Sequence, residues 1–98
     1  MDKAATVVAI QEALQQAPAL RNLARGRLAP EFVAWHTRVT ELLKSEFGED
    51  APQYQKWVRQ SYQPPHLAAT PSEFKVYFVR GLDGATRQLS GILAEIGA

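Results

Sequence analysis

Residues 70–96 read TPSEFKVYFVRGLDGATRQLSGILAEI, and this stretch decides the fold. Thr70, Pro71 and Glu73 form a strong helix start, because the threonine can cap, the proline suits the first turn and the glutamate completes a capping box. Apolar residues then recur at steps of three and four, the period of one helix face. They are Phe74, Phe78, Leu82, Ala85, Leu89, Ile92 and Ile96. The sequence therefore predicts one long C-terminal helix, roughly 40 Å if continuous.

Gly81 and Gly84 interrupt the middle of this helix. Each glycine costs about 1 kcal/mol of helix stability relative to alanine. The pair predicts one of two features, either a bend or a place where another helix approaches closely. Asp83 and Arg87 are spaced as an i,i+4 ion pair across the same weak point.

Upstream of Thr70, the apolar periodicity predicts four shorter helical segments. Proline and glycine separate them, and both residues punctuate helices. The segments are residues 3–17, 19–25, 30–47 and 52–62, and residues 63–69 are expected to form a loop. No segment alternates with the period of two that marks a strand. The sequence thus predicts an all-α fold, a small antiparallel bundle of four to five helices in a single domain over residues 1–98.

The composition narrows the classes of function. The hydrophobic fraction of 46% and the charged fraction of 21% are those of a globular protein. The net charge of +1 lacks the strong basic excess of most nucleic-acid-binding domains. The chain has no cysteine, so it has no disulfide and no thiolate nucleophile or metal ligand. Neither a signal segment nor a membrane span is apparent, and we expect a cytoplasmic protein.

No pattern of residues predicts catalysis. The chain has two histidines, and His36 has no His, Asp or Glu one turn away on its helix face to share a metal ion. His66 lies in the expected loop. No serine stands in a G-x-S-x-G elbow, and residues 81–84 lack the lysine and spacing of a phosphate loop. We therefore expect no enzyme activity, no cofactor and no metal.

The leading hypothesis is a protein–protein interaction or oligomerisation module, with a protein partner or a second copy of the chain. Amphipathic helices and surface aromatic residues are typical of such modules. The aromatic helix 52–62 and the glycine-containing part of the last helix are the predicted surface. Its residues are Trp57, Tyr62, Gly81, Gly84, Leu89 and Leu93.

Two other functions use the basic residues. A helical bundle can hold a small anionic ligand such as a nucleotide. The candidate contacts are Arg21, Arg25, Arg27 and Arg80. The second alternative is DNA binding, in which Lys56 and Arg59 would lie on a recognition helix together with three glutamines. The near-zero net charge weighs against DNA.

Part of the chain resembles a family of bacterial helical modules. The similar segments are Phe32–Trp35, Thr40–Leu43, Phe47–Tyr54 and the last helix from Phe74 to Ile96. These modules often precede TIR-like nucleotide-binding effector domains or stand in short proteins. The resemblance implies an accessory role in oligomerisation or docking, within antiphage defence, and it supplies no catalytic residues.

Overall fold

The computed structural model describes residues 3–64 and 70–97. Within these ranges the chain contains no strand, and the predicted all-α fold is confirmed. The elements are α1 (Lys3–Leu20), a 3-10 turn (Gly26–Leu28), α2 (Pro30–Phe47), α3 (Pro52–Arg59) and α4 (Pro71–Gly97). α4 packs against both α1 and α3.

The start of α4 forms as the sequence predicts. The Thr70 hydroxyl accepts a hydrogen bond from the Glu73 backbone N–H at 3.2 Å. In return, the Glu73 carboxylate accepts one from the Thr70 backbone N–H at 3.3 Å. This reciprocal capping box satisfies amides that have no partner inside the helix. α4 then continues through both central glycines as one helix.

The apolar stripe of α4 is buried from Phe78 to Ile92. Its first member differs, because Phe74 remains 43% exposed. Phe74 lies in the first turn of α4, four residues before the first buried position of this face. Its position in the apolar periodicity therefore does not make Phe74 part of the core.

Gly81 is the point at which another segment crosses α4. A Cβ atom built on Gly81 would lie 2.3 Å from the Ser61 carbonyl oxygen and 2.6 Å from Tyr62 Cδ1. Only a residue without a side chain allows the two backbones to come this close. Of the two predicted features, close approach is thus the one observed, although the neighbour is the extended segment after α3 rather than a helix.

Two predicted boundaries are wrong upstream. α1 does not stop before Pro18 but contains it and ends at Leu20. The proline leaves one backbone carbonyl of the helix without its usual hydrogen bond, yet the extension to Leu20 adds one further buried side chain, that of Leu20. The predicted segment 19–25 is not a separate helix, because turns follow Leu20. α3 ends at Arg59, three residues before the predicted end, and residues 65–69 of the expected loop lie outside the described ranges.

Two buried tryptophans of the core connect the helices through hydrogen bonds of their indole N–H groups. The Trp35 indole N–H donates to the Ala13 carbonyl at 3.0 Å and so ties α2 to α1. The Trp57 indole N–H donates to the Thr40 hydroxyl at 2.9 Å and ties α3 to α2. Buried indole groups usually find such partners, since an unpaired N–H is costly. These two bonds fix how the helices sit against each other.

Candidate functional site

The predicted interaction surface is mostly inside the protein. Trp57 and Leu89 are fully buried, and Tyr62 and Gly81 are buried as well. Only Gly84 and Leu93 are half-buried. These positions are used for packing of α3 and α4 within the chain, so they do not form an exposed surface. The correction has a simple cause: amphipathic periodicity shows that a face is apolar, and it does not show what covers that face.

The four predicted anion contacts do not converge on one site. Arg21 forms an ion pair with Asp83 of α4, so Asp83 is not paired with Arg87 as its spacing predicted. The Arg80 guanidinium lies 5.3 Å from the centre of the Tyr77 ring. Arg25 and Arg27, by contrast, line the same groove. The structure thus brings together two of the four arginines.

That groove lies between residues 23–28 and the first two turns of α4, and we call it the Phe74 groove. Its volume is 390 Å³. Leu28, at 58% exposed, and Phe74 border it, while the buried Phe78 and Tyr62 contribute deeper surface. The lining residues are Leu23, Ala24, Arg25, Gly26, Arg27, Leu28, Tyr62, Pro71, Phe74, Lys75 and Phe78. A cavity of this size accepts a few side chains.

One wall of the Phe74 groove is held in place by short-range hydrogen bonds. The Gly26 N–H donates to the Leu23 carbonyl at 3.1 Å, and the Leu28 N–H donates to the Arg25 carbonyl at 3.1 Å. Gly26 has a φ of 55°, a conformation that glycine adopts without strain. A Cβ at Gly26 would lie 3.4 Å from the Phe78 ring, so this turn rests directly on α4. The wall is therefore preformed.

The Phe74 groove is apolar inside and positively charged at its edge. Arg25 and Arg27 lie on one wall and Lys75 on the other, and all three are exposed. Among the described residues that line this groove, none is acidic. The nearest acid in sequence, Glu73, has its carboxylate engaged by Thr70. The groove therefore favours a ligand that combines an apolar group with negative charge.

A second groove, of 310 Å³, lies between α1 and α2. Its floor includes Ala9 and Ala13, whose small side chains leave room beside Trp35. The Arg38 side chain crosses from α2 to α1, where it donates to the Gln16 amide oxygen at 3.3 Å. Acidic residues and a cation line this groove together, so its charge favours neither an anionic nor a cationic ligand.

His36 belongs to an aromatic cluster. Its ring stacks on Trp57 with 5.4 Å between ring centres, and it meets Tyr62 edge-on at 5.5 Å. Burial lowers the pKa of His36 below its ordinary value, because desolvation disfavours the charged imidazolium. Across residues 3–64 and 70–97 there is no group of three or more His, Cys, Asp or Glu side chains that could hold a metal ion. His66 lies outside these ranges.

The polar side chains of α3 bond within the chain. Gln53 donates to the Glu95 carboxylate at 3.2 Å, and Gln55 donates to the Glu49 carbonyl at 2.6 Å. Gln60 accepts from Gln88 at 3.1 Å. A recognition helix for DNA needs such groups to face bases. In this arrangement Gln53 and Gln60 instead bond to α4, and Gln55 bonds to the turn that precedes α3.

The sequence signals for the Phe74 groove were incomplete. Arg25 and Arg27 stand out in the sequence as a basic cluster, but no sequence pattern marks Leu28, Phe74 and Lys75 as binding residues. The two walls are separated by more than forty positions in the sequence, and no local pattern indicates that they meet. Only the packing of α4 against the turn at Gly26 brings them together.

Comparison of the sequence and the structure with known proteins identifies no similar protein. The chain matches no family model, and no curated protein or solved structure is significantly similar to it. Among the described residues, no helix is both long and apolar enough to cross a lipid bilayer.

Proposed function

We propose that this protein is a non-enzymatic interaction module that binds a segment of another protein in the Phe74 groove. The observation that carries the proposal is the pair of large apolar side chains, Leu28 and Phe74, left 58% and 43% exposed on opposite sides of a preformed cavity. Single exposed apolar residues are common on protein surfaces, but two that border the same cavity are typical of a binding site.

The energetics of a short peptide agree with this use. Enclosing an aromatic side chain and a leucine at an interface removes apolar surface from water at about 25 cal/mol per Å². A central aromatic anchor typically contributes 2 kcal/mol or more, whereas rim contacts contribute much less. Because the wall at Gly26 is preformed, little of that gain is lost in ordering the groove. We expect micromolar binding of a short segment, with Phe74 as the residue of largest effect.

Selection from a random peptide library displayed on phage tests the proposal. The immobilised protein should enrich peptides that lose about tenfold or more in affinity for Phe74→Ala and for Leu28→Ala. Val76→Ala is the matched control, since Val76 is 47% exposed on the same helix but does not line the groove. Selected peptides that bind wild type and the two groove variants equally well would contradict the proposal.

Self-association is the competing use of the same surface. Light scattering over a range of concentrations distinguishes the two. A monomer whose groove accepts selected peptides agrees with a foreign partner. A dimer that dissociates on Phe74→Ala but not on Val76→Ala would show instead that a second copy occupies the groove.

The wider setting is supported by the sequence alone. The resemblance of residues 32–35, 40–43, 47–54 and 74–96 to bacterial modules fused to TIR-like effectors favours an accessory role in antiphage defence, in the cytoplasm. The partner would then be a component of the same defence system. Co-purification of such a component with wild type but not with Phe74→Ala would support this setting, and a component that binds both equally would contradict it.

A further inference from the structure

The charge around the Phe74 groove specifies which kind of segment it takes. We infer that the bound segment is acidic, with an apolar anchor flanked on both sides by Asp or Glu; this inference rests on the proposed function. Arg25 and Arg27 stand on one wall and Lys75 on the other, so a segment lying in the groove passes between cations. No acidic side chain occurs among the lining residues that the structure describes, so these residues offer no charge that would attract a basic segment.

The three cations remain accessible to a ligand. Arg25, Arg27 and Lys75 are all exposed, whereas two other arginines near α4 already have partners within the protein. Arg21 is paired with Asp83, and Arg80 packs on Tyr77. The domain as a whole carries a net charge of only +1, so this concentration of positive charge is local. Local complementarity of this kind selects partners and raises association rates.

The same cations do not favour a nucleotide. Recognition of a base or a phosphate needs polar groups placed inside the cavity. Here the less exposed side chains of the lining are those of Leu23, Tyr62 and Phe78, whereas the charged side chains are exposed. Tyr62 offers no accessible polar atom, since its hydroxyl is buried. An apolar interior with a cationic edge matches an apolar side chain that has carboxylates beside it.

Exposed ion pairs are individually weak, so the effect comes from their sum. Each changes affinity by up to about fivefold, and three together by roughly tenfold or more at low salt. Reversal of all three charges turns this attraction into repulsion. Because these groups are solvated, the preference should shrink as the salt concentration rises.

The composition of the selected peptide pools tests the inference. Wild type should enrich peptides with Asp or Glu on both sides of an apolar residue. The triple variant Arg25→Glu/Arg27→Glu/Lys75→Glu should enrich Lys and Arg at those positions instead. Arg87→Glu is the control, an exposed cation of α4 outside the groove, and it should select the same acidic pool as wild type. Circular dichroism and thermal unfolding should show all these variants folded.

The possible failures separate the two proposals. Peptides that depend on Phe74 but show no acidic enrichment would overturn the inference and leave the groove as a binding site. If the Leu28→Ala and Phe74→Ala variants bind the peptides selected on wild type with unchanged affinity, both the proposed function and this inference would be overturned. Stabilisation of wild type by ATP, lost in the triple variant, would overturn the inference in favour of a small anion.

Discussion

Replacement of Gly81 by alanine tests the packing of α4 most directly. In an open helix position this substitution stabilises by about 1 kcal/mol, because alanine restricts the unfolded chain and favours the helix. At Gly81 the new methyl group would lie 2.3 Å from the Ser61 carbonyl oxygen. That atom belongs to the backbone, so it cannot move aside by a change of rotamer. The segment after α3 has to shift instead.

The magnitude follows from two opposing terms. Overpacking a tight contact typically costs about 1–3 kcal/mol, and a clash with backbone belongs at the upper end. Subtracting about 1 kcal/mol of helix propensity leaves a net destabilisation of about 2 kcal/mol. For a domain of this size, 1 kcal/mol moves the melting temperature by about 4–8 °C. Gly81→Ala should therefore lower the Tm by roughly 10 °C.

Two other glycines of α4 provide matched controls in the same thermal unfolding assay. A Cβ at Gly91 meets nothing within 4 Å, so Gly91→Ala should raise the Tm by about 5 °C. At Gly84 the neighbour is the flexible end of the Gln60 side chain, which can move, so the effect should fall between the two. A Gly81→Ala protein as stable as Gly91→Ala would refute the close approach of Ser61 to α4.

Three further variants probe the core. The Tyr62 hydroxyl is buried with no hydrogen-bond partner among the described residues, and burial raises the pKa of Tyr62 above its usual range. Tyr62→Phe should therefore be more stable than wild type by about 1 kcal/mol in urea unfolding. A loss of stability of that size would instead reveal a partner for the hydroxyl. Because the pKa of His36 is lowered in the folded state, the unfolded state binds more protons, so stability is fully present above pH 6.5 and declines as the pH falls below that value. His36→Phe should remove this part of the decline, by at most about 1.4 kcal/mol per pH unit, and an unchanged acid profile would contradict the cause assigned to the shift. Leu89→Asp places an unpaired carboxylate at a position with no exposed surface and should abolish cooperative unfolding. The control Val76→Asp, at an exposed position of the same helix, should still fold. A folded Leu89→Asp protein would mean that this face of α4 is accessible.

The sequence predicts those parts of the fold that depend on local rules. The capping box at Thr70, the start of α2 at Pro30 and its end before Gly48 all follow from residues next to each other in the chain. The path of α1 through Pro18 could not be predicted in this way. There, burial of Leu20 in the core offsets the loss of one backbone hydrogen bond.

The candidate site was less predictable, because it depends on which elements meet. Trp57 and Leu89 have the apolar pattern of a binding face, and the same pattern serves equally for packing inside the chain. Phe74 is exposed although it shares the apolar periodicity of the buried residues of α4, and the sequence contains no marker for that difference. Arg25 and Arg27 could be noticed as a cluster, but their apposition to Lys75 required the three-dimensional arrangement.

The most direct test of the central claim is a titration of isotope-labelled protein with the strongest selected peptide, followed by NMR. If the Phe74 groove is the binding site, the shifted backbone signals should belong to residues 23–28 and 74–78. Signals of residues 9–16 and 38–45, which border the groove between α1 and α2, should stay in place. Shifts confined to that second groove, with residues 23–28 unaffected, would contradict the account.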